Sequence, residues 1–327
     1  MEYKKISKIK SIDYMKLICA FLVVAIHTHP FQDINNLLHY SFSEVLVRIA
    51  VPFFFASSGY FYIKNNCNLK KYIKRLFQTY ISWSMIYLIL QIYDCIKSNG
   101  NILILLKSFV IEFFIYGSYY HLWYIVALII CIAITTVFYK FNKMKLLYLL
   151  SLILYFIGVI GGAYYKLGSQ IPILSSLYNF ALYTQIRRYL LMGLPFFMLG
   201  YLIFEVKDIS KNLNITLIFT AILFVFEIVF VNIFKLQKDI VITLFLYPLV
   251  FQLFMLCLKY PINNINNKID IGKLSSFIYF VHPLIIFILS KFILGETFLY
   301  FTTCGVSILI ALIFIKINNK KINRLLF

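Results

Sequence analysis

Residues Tyr14–Phe31 read YMKLICAFLVVAIHTHPF, and this stretch decides the fold. No charge lies between Lys16 and His27, and the run approaches the roughly 20 apolar residues that carry a helix across a bilayer. Working outward, nine more runs of this kind follow: Val45–Ile63, Leu76–Tyr93, His121–Tyr139, Leu146–Tyr165, Tyr189–Phe204, Ile215–Phe234, Ile240–Leu258, Leu274–Leu294 and Phe298–Ile317. The run Ile102–Tyr116 is apolar but short and contains Lys107 and Glu112, which predicts an interfacial or re-entrant helix. The expected fold class is therefore an all-α integral membrane bundle of about ten transmembrane helices.

Composition excludes the other classes. Of 327 residues, 62% are apolar and 13% are charged, against about 25% charged in a soluble domain. Gly, Pro and Cys are few, which excludes collagen-like, disordered and disulfide-rich chains. Ten spans use up most of the chain, so a single membrane domain over 1–327 with no soluble domain is expected. Met1–Lys10 is basic and resembles a signal peptide, yet no small-residue cleavage site follows, so a retained first span is expected. The six cysteines stand singly, with no CxxC, and predict neither disulfide nor metal site.

The net charge is +19. Its Lys and Arg residues lie in short clusters between apolar runs, a pattern of membrane topology rather than of a nucleic-acid face. With the N-terminus inside, 21 cations fall on inner segments, from Lys4–Lys10 through Lys64–Arg75 to Lys316–Arg324, and 8 on outer ones. The positive-inside rule then places both termini in the cytoplasm.

Charged and histidine side chains inside spans are functional candidates. Lys16 and His27 are eleven residues apart, close to three full turns, so they share one helix face about 16 Å apart. Lys16 alone is also explained by snorkelling to the inner interface, and His27 by an interhelical hydrogen bond. His suits general-base work near neutral pH. The topology brings His27, Arg48 and His121 to similar depth near the outer face. Trp123 and Tyr124, at a span end, read as interfacial anchors. His282, before Pro283, marks a kinked helix with a hydrogen-bonded His, and Glu227, within the seventh run, is a candidate counter-ion or proton site with no partner identifiable from sequence. Ser57-Ser58-Gly59 reads as close helix packing.

Asp13-Tyr14-Met15-Lys16 followed by His27 resembles the opening of the acyltransferase-3 family, whose first span reads Asp-x-Leu-Arg and then His. Here Lys16 replaces the usual Arg and Met15 the Leu. Arg48–Phe55 with Ser58-Gly59-Tyr60, the basic run to Arg75, His121–Tyr124, and Ser275 to His282-Pro283 are similar to the family too. Arg48–Phe55, Tyr120–Tyr124 and Pro195-Phe196-Phe197 through Gly200 also resemble the membrane domain of vancomycin-resistance serine racemases. The resemblance implies a multi-pass protein of the bacterial cytoplasmic membrane. It also implies transfer of an acyl group, commonly acetyl, from cytoplasmic acyl-CoA to a hydroxyl of an extracytoplasmic carbohydrate. Acyl-CoA is then a co-substrate and no cofactor is held permanently. Lys16, Lys71 and Arg75 would hold the CoA phosphates, His27 would be the base, and Arg48, His121, Trp123 or Tyr124 would complete the site, with Asp13 beside Lys16. The alternative is a carrier for a serine-like amino acid, with Arg48 taking the carboxylate and Glu227 the ammonium group. A scaffold or sensor without chemistry leaves the His and cation placement unexplained. The acyl group, the acceptor and the oligomeric state are not legible.

Overall fold

The computed structural model describes residues 9–206, 208–262, 269–317 and 325–326, with the side chain of Lys71 left out. Lys4, Lys5, Lys8, Lys207, Lys268, Lys320, Lys321 and Arg324, used above to orient the chain, lie outside the described residues. Among the described residues there are helices and no strand. This follows from lipid, where a backbone must satisfy its own hydrogen bonds.

Eight helices are long and apolar enough to cross a membrane, by length and composition. They are the first (Lys10–Thr28), second (Asn36–Lys64), fourth (Trp123–Lys140), fifth (Met144–Gly161), sixth (Arg187–Glu205), seventh (Leu213–Ile233), ninth (Ile271–Leu289) and tenth (Glu296–Ile317). The other two expected spans differ. The third lies within Leu69–Lys97 and is more polar, carrying Gln78, Thr79, Ser82, Ser84 and Gln91. The eighth is shortened to Leu246–Lys259. Residues 240–245 are apolar but not helical, because Glu227 on the seventh helix accepts the N–H groups of Leu244 at 2.6 Å and Phe245 at 2.9 Å. Ile102–Ile111 forms the short helix expected there, capped by the Asn101 side chain. Of its residues only Phe109 is buried, and Leu103, Ile104, Val110 and Ile111 face outward, which fits a helix lying at the membrane interface.

Burial separates the centre from the periphery. Of the apolar stretches of the second and sixth helices 67% is buried, against 22% for the tenth, whose side chains face outward. The second and sixth helices meet backbone to backbone. A β-carbon at Gly59 would lie 1.9 Å from the Phe197 carbonyl oxygen, and one at Gly200 would lie 2.3 Å from the Tyr60 nitrogen. The small-residue reading of Ser57–Gly59 is correct. The first helix packs on the second and ninth, and these four helices form the core.

Besides the 3₁₀ turn Leu46–Ile49, which carries Arg48, three segments among the described residues are wound as π-helical turns: Tyr40–Val45, Glu112–Tyr116 and Arg187–Gly193. Such widenings collect at functional sites, and each here leads into, or contains, residues of one cavity. After the second widening, Gly117 has φ +91°, and a β-carbon there would meet the Trp123 nitrogen at 2.4 Å. Only glycine takes that turn cheaply, and it folds Ser118–Leu122 back into the bundle.

Candidate active site

The ends of the first, second, fourth and sixth helices that lie opposite Lys16 enclose a cavity of about 640 Å³. His27, Arg48, Tyr120, His121, Trp123, Arg187, Arg188 and Tyr279 line it. The three catalytic candidates, His27, Arg48 and His121, thus come together. His282 joins them from behind, its ring stacked on that of His27 with centroids 5.4 Å apart and 20° between planes. His121 stands edge-on to His282, also at 5.4 Å, and Tyr120 lies 4.7 Å from His27.

The hydrogen bonding is incomplete where chemistry needs it to be. His282 Nδ1 pairs with the Ile278 carbonyl at 3.1 Å, as a kinked helix with a bonded His predicts, but its Nε2 has no partner. Both ring nitrogens of His121 are buried, and among the described residues neither makes a well-formed hydrogen bond, the Phe280 backbone being the polar group within range. Leaving a buried polar atom unpaired costs about 1–3 kcal/mol, so these atoms mark a place built to receive something. The loop is held by other groups, since the Tyr279 hydroxyl donates to the His121 carbonyl at 2.6 Å.

Trp123 and Tyr124 are not interfacial anchors. The Tyr124 hydroxyl pairs with Ser58 Oγ at 3.1 Å, and Trp123 lines the cavity under the Arg188 guanidinium, 5.2 Å from its ring centroid. The interfacial expectation failed because the Gly117 turn draws this span end inward, which no local pattern announces. Arg187 and Arg188, read above only as outer-segment charges, are lining residues, and no signal in the sequence separates them from loop cations. Arg48 is paired with Glu44 and Arg187 with Asp239, the latter at 2.9 Å.

At the other end of the first helix, Lys16 Nζ sits over the Phe61 ring at 4.9 Å. Asp13 and Arg75 lie within electrostatic range of it, so Lys16 and Arg75 are brought together. Lys71 is on the third helix, but its side chain lies outside the described residues. A β-carbon at Gly272 would lie 3.1 Å from Asp13 Oδ1, so this carboxylate abuts the N-terminus of the ninth helix, where negative charge is favoured. Glu227 lies elsewhere and is not among the residues lining the cavity. Besides the two backbone groups, it accepts the Tyr164 hydroxyl at 3.1 Å, and it buttresses the start of the eighth helix. Among the described residues, His29, His39 and Glu44 bring three ligand atoms within 4.8 Å of one another, but Glu44 is already the partner of Arg48.

The family model described as an acyltransferase domain matches residues 9–316. An amino-acid racemase of Enterococcus faecalis is 32% identical over 86% of this chain and 42% of its own length. A serine/alanine racemase of Enterococcus gallinarum is 29% identical over 84% of this chain and 40% of its own. The chain thus spans less than half the length of these curated relatives. No solved structure matches. The span of the match, together with the multi-pass helical fold and the order of the motifs along it, makes this chain a member of the acyltransferase-3 family of membrane acyltransferases.

Proposed function

We propose that the protein moves an acyl group, acetyl in the simplest case, from cytoplasmic acyl-CoA to a hydroxyl of an extracytoplasmic glycan or envelope polymer. Family membership supports acyl transfer. The observation that carries the finer reading is one cavity shared by His27, Arg48 and His121, at the end of the first helix opposite Lys16 and Arg75. The racemase matches do not support the carrier alternative, which also needs Arg48 and Glu227 in one cavity.

In this reading Lys16 and Arg75 hold the CoA phosphates by charge-assisted hydrogen bonds, and the acyl arm reaches outward within the bundle. A ring nitrogen of His27 takes the acceptor's hydroxyl proton as the oxygen attacks the thioester carbon. The C–O bond forms, the C–S bond breaks, and the thiolate leaves to be protonated. Arg48 and the Trp123 indole N–H are the donors for the developing oxyanion. Mass spectrometry of surface glycans with and without the protein tests this. Loss of an acyl mark on one polymer is the expected result, and unchanged acylation of wall polymer, capsule and lipid-linked sugar overturns it.

Lys16→Arg keeps the charge and the usual family residue, so donor use is retained. Lys16→Met raises the KM for acyl-CoA roughly 10- to 100-fold, the worth of one charge-assisted hydrogen bond. Equal KM values in the two variants would return Lys16 to snorkelling.

The cytoplasmic placement of both termini belongs to this proposal. It predicts that an impermeant thiol reagent labels Cys95, half-buried beside an open outer crevice, in intact cells. It also predicts that a cysteine in Lys140→Cys, an exposed position, escapes. The converse pattern overturns the orientation. Cys67 is unsuited to this test, because it is 6% exposed and burial pushes its thiol up to about 11, leaving little thiolate on either side.

A further inference from the structure

The outer cavity holds more positive charge than its own carboxylates neutralise. Three guanidinium groups line it: Arg48, Arg187 and Arg188. Glu44 balances the first and Asp239 the second. Arg188 has no acidic partner among the described residues, and its contact is the Trp123 ring, which orients a guanidinium without neutralising it. The half-buried Arg188 therefore keeps an uncompensated charge beside His27 and His121.

The backbone supports this placement. Successive residues of an α-helix point about 100° apart, yet Arg187 and Arg188 both line the cavity, and the π-helical turn Arg187–Gly193 begins at this pair. A cation held this way binds a neutral hydroxyl less strongly than an anion. An acceptor with its own anion would meet a planar donor fork, already oriented, in the cavity that also holds the base.

We infer that the acceptor is an anionic envelope polymer, with a carboxylate or phosphate near the acylated hydroxyl, and that Arg188 selects it. This deepens the acyl-transfer reading and rests on it for the word acceptor. The binding it asserts can be read without any transfer.

The test uses the full chain in lipid nanodiscs without acyl-CoA, and fluorescence anisotropy of three labelled probes. These are a neutral oligosaccharide, a uronic-acid oligosaccharide of equal length, and a glycerol-phosphate oligomer. At least one anionic probe binds tenfold or more tightly than the neutral one, in line with a charge-assisted hydrogen bond, and which one it is separates carboxylate from phosphate. Arg188→Gln removes the preference and Arg188→Lys keeps part of it. Lys166→Gln, which removes an exposed cation outside the cavity, leaves it unchanged. Equal binding of the three probes by wild type overturns the inference, as does a preference that survives Arg188→Gln or is lost equally in Lys166→Gln. Should Arg188→Gln fail to fold, wild type decides: the preference must weaken as added salt screens the charge, and one indifferent to salt overturns the inference. Adding acyl-CoA then separates the two claims. Tight anion binding with no acyl transfer sinks the transferase reading alone, and transfer to neutral and anionic probes alike sinks the selection by Arg188 alone.

Discussion

His27→Gln lowers acyl transfer to the native acceptor by about 10²–10⁴-fold, the contribution of a positioned acid–base group. Glutamine keeps size and hydrogen bonding but cannot take the proton. The ring sits in the cavity wall between Tyr120 and His282, so expression and membrane insertion are unchanged. His29→Gln is tolerated. That residue is exposed, ends the first helix in the left-handed conformation, and does not line the cavity. The measurement is turnover of both variants at matched protein level. Near-wild-type turnover in His27→Gln, or equal losses in the two, returns His27 to a packing role.

Gly59→Ala and Gly200→Ala each destabilise the folded protein by about 3 kcal/mol, the upper end for an overpacked core. The obstacle in both cases is backbone of the facing helix, the Phe197 carbonyl in one and the Ala56 carbonyl and Tyr60 nitrogen in the other, and backbone cannot rotate aside as a side chain can. Gly305→Ala serves as the contrast. A β-carbon there meets nothing within 4 Å, so this variant gains the small helix preference of alanine. Thermal unfolding and the yield of monodisperse protein in detergent check all three. A Gly59→Ala protein as stable as Gly305→Ala would mean that the two helices can part without cost.

What the sequence made legible follows from what is periodic or local. Runs the length of a bilayer locate the helices, and the eleven-residue spacing of Lys16 and His27 puts two polar groups at opposite ends of one. The small trio Ser57–Gly59 announces a close crossing, and the order of short motifs along the chain points to the family. The rest depends on contacts between distant segments. Glu227 takes the N–H groups of Leu244 and Phe245 and Asp239 that of Val241, so the eighth helix starts late although its apolar run does not. Trp123 and Tyr124 turn inward because of a glycine six residues earlier in the chain. His282 reads as a residue next to a proline until the first helix lays His27 against it. Arg187 and Arg188 count as topology charges until a widened turn brings both into the cavity.

Those widened turns also bear on how such a protein diverges. A π-helical turn holds one residue more than the α-helix around it, so loss of a single codon restores regular winding. Removing one residue between Leu190 and Gly193 would close the widened turn to α-helical winding, in which Arg187 and Arg188 point about 100° apart and no longer both face the cavity. The Gly200 crossing, on the other side of the deletion, would keep its register against the second helix. If Arg188 selects the acceptor as proposed, that preference is tied to the core, because the same turn buries Tyr189, Leu191 and Met192: a lineage that closes the turn must also repack the wall around them.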